Sequence, residues 1–128
     1  MIFGIGCDII NIKRIEKSDV FLKRFAQKIL NDEEKKENLL NNDMHHNACT
    51  LAKYYAGKEA FVKALGTGFR DGIYLRDICI THDTLGKPEL KIYGNAVKYL
   101  SKALDYKMHI SLSDDYPYAQ AIVVIETD

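Results

Sequence analysis

The chain has 128 residues, 47% of them hydrophobic and 28% charged, which suits one globular domain spanning residues 1–128 with a modest core. Eighteen Lys and Arg cancel eighteen Asp and Glu, so the formal charge argues against a general nucleic-acid binder, where a basic excess is expected. The longest apolar run, Ala121 to Ile125, is far too short to cross a membrane.

Met1 to Ile10 alternates as a half-buried strand does. Ile2, Gly4, Gly6 and Asp8 fall on one face, while Phe3, Ile5, Cys7 and Ile9 fall on the other, which reads as the core face. Two glycines weaken a strand, but they also clear side chains from around Asp8 and let a backbone or a ligand come close. Asn11 to about Gln27 reads as one or two short helices. Up to residue 28, six basic residues (Lys13, Arg14, Lys17, Lys23, Arg24, Lys28) stand against three acidic ones (Asp8, Glu16, Asp19), either an ordinary solvated face or a patch for an acidic partner. Asn31 with Glu34 three places on is a capping signal for a polar helix through about Leu40.

About Met44 to Leu65 reads as one long helix stopped by Gly66 and Gly68. Glu59 and Lys63, at i and i+4, share a face with Ala52, Ala56 and Gly66, all small, so a ligand can reach both charges. By itself such a spacing most often marks a solvated surface pair. Lys58 sits at the centre of an apolar stripe of Leu51, Tyr55, Val62 and Leu65, where it must snorkel out, find a buried partner or meet a phosphate; the phosphate is the favoured reading. His45 and Cys49 stand one turn apart beside His46, but with no second ligand pair nearby a zinc site is not favoured. Three cysteines (Cys7, Cys49, Cys79) are an odd number without framework spacing, and no signal peptide is recognisable, so a reducing, cytoplasmic setting is expected. Cys7 and Cys79 read as small buried thiols.

Past a loop at Arg70-Asp71-Gly72, the strand Ile78 to Thr81 and the run Glu89 to Tyr93 flank the turn Leu85-Gly86-Lys87-Pro88 as a hairpin. Asn95 can cap a short helix through about Leu104. Two further strands follow at about Lys107 to Ser113 and Tyr118 to Glu126. In the first of them His109, Ser111 and Ser113 make a polar face opposite Met108, Ile110 and Leu112. Ala121 to Ile125 lacks alternation, as a strand covered on both faces does, which in so small a protein points to burial by a partner subunit. The elements add up to an α+β fold, an antiparallel sheet packed on a long helix, assembling as a homo-oligomer.

Three stretches carry a family resemblance: Gly4-Ile5-Gly6-Cys7-Asp8-Ile9, Gly57-Lys58-Glu59-Ala60 through Gly68, and His109-Ile110-Ser111-Leu112-Ser113. Together, over nearly the whole chain, they resemble the holo-acyl-carrier-protein synthase family, the small phosphopantetheinyl transferases. The resemblance implies the 4'-phosphopantetheinyl transferase fold and a trimer with active sites between subunits. It also implies transfer of the phosphopantetheine arm of coenzyme A to a serine of apo acyl carrier protein, supporting fatty acid biosynthesis and releasing adenosine 3',5'-bisphosphate. By matching position it makes Asp8 and Glu59 ligands of Mg²⁺ and Lys63 a contact for the coenzyme A phosphates, the expected catalytic set. It puts Gly86, Lys87 and Pro88 near coenzyme A, with Lys58, Gly66, His109 and Ser111 as further contacts. Arg14 and Arg24 on the first helix become the contacts for the acidic carrier, since Arg pairs bidentately with carboxylates.

Physical chemistry fits that assignment. Mg²⁺ takes oxygen ligands octahedrally at about 2.0–2.1 Å and keeps several waters, so two acids plus a diphosphate suffice. Negative charge growing on the bridging oxygen of the departing nucleotide would meet the ion and Lys63. The base that takes the serine proton is left open between His109 and a water on the ion. Two positions depart from the family pattern: many members carry Ser-His where this chain has Ser113-Asp114, and an arginine where it has Tyr54. Lys53 is adjacent, but points to a different part of the helix surface. Two rival readings remain, a magnesium-dependent nucleotide diphosphate hydrolase and a module that binds coenzyme A or a carrier protein without turnover.

Overall fold

The structure, a computed structural model, describes residues 1–102 and 105–128. In chain order it contains β1 (Ile2–Asn11), a 3-10 turn (Ile12–Arg14), α1 (Asp19–Ile29), α2 (Asp32–Lys35), α3 (Met44–Leu65) and a second 3-10 turn (Leu75–Asp77). Then come β2 (Ile78–His82), β3 (Pro88–Ile92), α4 (Asn95–Leu100), β4 (Tyr106–Asp115) and β5 (Tyr118–Thr127). The long strands form an antiparallel sheet in the order β1-β5-β4, and β2 pairs with β3 as the expected hairpin. α3 lies across the inner face of the larger sheet, mainly against β1 and β5. No helix among the described residues is long and apolar enough to cross a membrane.

Local chemistry explains most of the boundaries. Ser18 caps α1 by accepting from the Phe21 amide, and Asp43 caps α3 by accepting from the His45 and His46 amides. Gly66 ends α3 in the left-handed region at φ 87°, its N–H bonded to the Val62 and Lys63 carbonyls. Asn31 and Glu34 form the expected capping box, but α2 is a single turn and does not run to Leu40. The left-handed Asn38, at φ 53°, turns the chain away just beyond it. Asn95 is the first residue of α4 rather than its cap; Gly94 precedes it at φ 61°, and the Asn95 amide reaches back to the Asp71 carbonyl at 2.8 Å. The continuation to Leu104 expected from sequence falls partly outside the described residues.

The faces of β1 are the reverse of the expectation. Ile5 and Ile9 are 63% and 60% exposed, Phe3 and Cys7 are exposed too, and Gly6 is buried. The cause is the helix backbone. A Cβ added at Gly4 would strike the Ala64 carbonyl oxygen, and one at Gly6 the Ala60 carbonyl oxygen. The glycine face therefore accepts α3 itself, at a separation that no side chain allows. Cross-strand rows on this inner face run Gly4–Ile125–Met108, Gly6–Val123–Ile110 and Asp8–Ala121–Leu112. The outer rows are Ile5–Val124–His109, Cys7–Ile122–Ser111 and Ile9–Gln120–Ser113. Within one chain β5 is thus covered on one face only: Ala121, Val123 and Ile125 are buried, while Ile122 is exposed. Cys79 is buried as expected, its thiol donating to Glu33 at 3.0 Å.

Gly6→Ala should lower stability by about 1–3 kcal/mol, the usual range for overpacking a close contact. Urea denaturation would report it as a lower midpoint at unchanged slope; a wild-type midpoint would show that the strand–helix spacing gives way freely.

Candidate active site

Where β1 passes the C-terminal half of α3, the two sequence motifs meet. Lys63 Nζ donates to Asp8 Oδ1 at 3.0 Å and to the Cys7 carbonyl at 2.9 Å. The hydrogen bond to Asp8 raises the Lys63 pKa above its usual value; burial opposes, and the Asp8 and Glu59 charges add to the rise. The ammonium stays protonated and, with half of its side chain exposed, faces solvent. Two of its three donors are engaged, leaving one N–H for a ligand. Tyr55, one turn before Glu59, is half-buried here, and its phenol is pushed up to about 12, first by burial and then by the adjacent Glu59 carboxylate. Asp8 acts on Tyr55 in the same direction and Arg14 against it. Two carboxylates, a lysine and a phenol thus share one small surface. Among the described residues no three His, Cys, Asp or Glu side chains gather as a metal cage. Mg²⁺ needs only one or two protein carboxylates when phosphate oxygens complete its shell, and Asp8 and Glu59 are the residues here that could hold it.

The other expected contacts are dispersed. Gly66 closes α3 with open space around it. Gly86, Lys87 and Pro88 lie at the tip of the β2–β3 hairpin, held by Asp83 Oδ1, which accepts from the Leu85 and Lys87 amides at 2.9 Å each. His109 and Ser111 are on the outer sheet face, turned away from α3, and His109 Nε2 pairs with Glu126 at 2.7 Å. Within one chain they do not join the Asp8–Lys63 cluster. Arg14 and Arg24 are both exposed, but on separate elements, the first 3-10 turn and α1, rather than on one helix. Lys58 corrects the phosphate reading: it is fully buried, and its ammonium donates to Glu34 Oε1 at 2.7 Å and to the Ile29 carbonyl. Burial pushes its pKa down, and Glu34 opposes that. Of the three ways open to a lysine in that stripe, it has found a buried partner.

A family model described as the 4'-phosphopantetheinyl transferase superfamily matches residues 4–121. The chain belongs to that superfamily. A protein of Wolbachia pipientis subsp. Culex pipiens (strain wPip), named holo-[acyl-carrier-protein] synthase, is 46% identical to it over 98% of both chains. The crystal structure of a holo-[acyl-carrier-protein] synthase from Neisseria meningitidis superposes with a TM-score of 0.85 at 40% identity, over 99% of this chain and 100% of that one. A Bacillus anthracis str. Ames counterpart in complex with CoA (3',5'-ADP) gives 0.78 at 32% identity, over 100% and 99%.

The two positions expected to depart from the family pattern, Tyr54 and Asp114, each have a partner or setting of their own. Lys53 pairs with Asp114 at 3.2 Å, so one altered position engages the lysine beside the other. Tyr54 is buried with a hydroxyl that finds no partner among the described residues, and supplies no charge in place of the arginine. Sequence reasoning missed Tyr55 as a neighbour of Glu59, although the i, i+4 spacing was available to find it. It also missed a clasp around Glu16. Oε1 accepts from the Tyr116 hydroxyl and Oε2 meets His45 Nδ1, both at 2.6 Å, tying the segment after Arg14 to the start of α3 and the β4–β5 turn. His45 therefore has a carboxylate for its main partner, with Cys49 Sγ more distant at 3.7 Å. Separations of 29 and 100 residues leave no local signal for such contacts.

The Tyr116 hydroxyl, then His45, hold the Glu16 pKa below 4.5, with burial opposing. A depressed carboxyl pKa contributes stability above the unfolded value and loses it as pH falls toward the folded one. Glu16→Gln should therefore be less stable than wild type at pH 7, with the gap closing below 4.5 in thermal unfolding; a gap independent of pH would contradict the clasp.

Proposed function

We propose that this chain is a holo-[acyl-carrier-protein] synthase that moves the 4'-phosphopantetheine group of coenzyme A onto a serine of apo acyl carrier protein. Asp8 and Glu59 hold Mg²⁺, and adenosine 3',5'-bisphosphate leaves. The observation that carries the reading is the Lys63 ammonium, oriented by Asp8 at 3.0 Å on the helix face that bears Glu59, in a member of a phosphopantetheinyl transferase superfamily. The names and bound coenzyme A of similar proteins support the choice of substrate.

In the reaction the serine oxygen bonds to the phosphorus nearest the pantetheine arm, the bond from that phosphorus to the bridging oxygen breaks, and the serine proton passes to a base. When bound, the ion supplies Lewis-acid stabilisation of the diphosphate. Lys63, permanently charged and anchored on two sides, offers its remaining N–H to a phosphate oxygen and meets the charge that develops there. The Tyr55 phenol stays protonated through the physiological range and adds no further negative charge beside Glu59.

The working form we propose is a homotrimer. The outer face of the sheet exposes Phe3, Ile5, Ile9 and Ile122, an apolar surface that marks a protein contact. Packing it on another copy covers the second face of β5 and brings His109 and Ser111 toward a neighbour's site. Arg14 and Arg24 lie on the exposed surface that receives the acidic carrier, and the setting is the cytoplasm, in fatty acid biosynthesis.

Incubation of the protein with coenzyme A and Mg²⁺, with and without apo carrier, separates the readings by mass spectrometry. Transfer predicts a phosphopantetheine mass gain on the carrier; coenzyme A cleavage without carrier would instead show a hydrolase, and binding without turnover a passive module. Asp8→Ala and Glu59→Ala should each abolish transfer while leaving the circular dichroism unchanged, and wild-type rates in either would remove the metal assignment. Arg14→Glu should raise KM for the carrier, most at low salt, with kcat preserved.

A further inference from the structure

Lys58 and Glu59 are adjacent on α3 and so point about 100° apart around its axis. Glu59 faces the Asp8 cluster, whereas Lys58 runs into the interior, where its ammonium is held by Glu34 Oε1 and by the Ile29 carbonyl at the end of α1. Glu34 is itself fixed. Its Oε1 also accepts from the Asn31 amide at 3.0 Å, and its Oε2 accepts from the Ile80 amide of β2 at 2.9 Å. One buried ion pair thus joins α1, α2, α3 and β2, with both side chains at 0% exposure.

Stability alone is a poor reason for it. Replacing a buried ion pair by apolar groups of similar volume is often neutral or stabilising, because desolvation offsets the attraction. What such a pair enforces is geometry: each hydrogen bond has a fixed direction, and turning α3 about its axis would break the Lys58 contacts to two elements at once.

We propose that the Glu34–Lys58 pair is a positioning device that sets the rotation of α3, and through it the aim of Glu59 at the ion shared with Asp8. The inference rests on the metal reading above. Lys58 and Glu34 touch no substrate in this account; they act through the helix that carries Glu59 and Lys63.

The test uses the full-length protein with Glu34→Gln/Lys58→Met, which removes both charges, preserves the approximate volume and leaves the glutamine oxygen as an acceptor for one of the two backbone amides that Glu34 holds. Two readouts are compared with wild type well below the measured unfolding temperature. In the metal-free protein, amide hydrogen exchange over residues 57–63 should be faster by about tenfold while the β4–β5 ladder is unchanged. In the transfer assay, the Mg²⁺ concentration for half-maximal rate should rise by about tenfold, the scale expected when a supporting contact behind a metal ligand is lost. A folded double variant with wild-type exchange at 57–63 and wild-type Mg²⁺ dependence would overturn the proposal, as would faster exchange spread evenly over the whole protein. If the double variant does not fold, Glu34→Gln alone carries the same expectations and the same refutation. A wild-type enzyme indifferent to divalent ions would fail the metal reading instead, and the exchange measurement would still decide the positioning role.

Discussion

With no Cβ at positions 4 and 6, the first strand lies against the backbone of α3 at the carbonyls of Ala64 and Ala60. Everything at the site is spaced by that contact. Ala60 and Ala64 form one i, i+4 row that meets the strand, and Glu59 and Lys63 form the neighbouring row. The next inward residue of β1 after Gly6 is Asp8, the first with a side chain long enough to cross to that second row, and it meets Lys63 at 3.0 Å. Side chains at 4 and 6 would lift the strand away and carry Asp8 with it. The same arrangement turns Phe3, Ile5 and Ile9 outward, so the constraint that builds the site also creates an exposed apolar face.

Two lysines five residues apart on α3 show how burial divides their roles. Lys63 remains half exposed; its hydrogen bond to Asp8 keeps it charged, and its ammonium is open to water. Lys58 is removed from solvent altogether, and Glu34 must offset the cost of desolvating it. An exposed pair of this kind contributes little to stability but is available for chemistry, whereas the buried pair is directional and unavailable to a ligand. The adjacency of Lys58 to Glu59 links the two environments through one rigid turn of helix.

Periodic and capping signals in the sequence carried far. The long helix ends where Gly66 allows a left-handed cap, the capping box at Asn31 and Glu34 forms, and the Gly86 turn closes a hairpin. Asp8, Glu59 and Lys63 stood out as candidates because their motifs are local, and the fold brings Asp8 to Lys63 at 3.0 Å. The inverted faces of β1 were not legible from alternation, since a strand that packs on helix backbone buries its smallest residues, contrary to the rule that apolar side chains mark the core. Lys58 misled for a related reason: its partner Glu34 lies 24 residues away, and a lysine within an apolar stripe looks the same whether a carboxylate or a phosphate awaits it. The Glu16 clasp to His45 and Tyr116 depends wholly on tertiary contacts and left no pattern to find.

The claim at the centre of this account is that the glycine-spaced contact of β1 with α3 brings Asp8 and Glu59 to one divalent ion. A crystal structure grown with coenzyme A and Mn²⁺, read by the anomalous signal of the metal, tests it most directly. The account predicts one strong peak coordinated by both carboxylates and by diphosphate oxygens, beside Lys63. A peak bound elsewhere, or one that leaves either carboxylate unengaged, would contradict it.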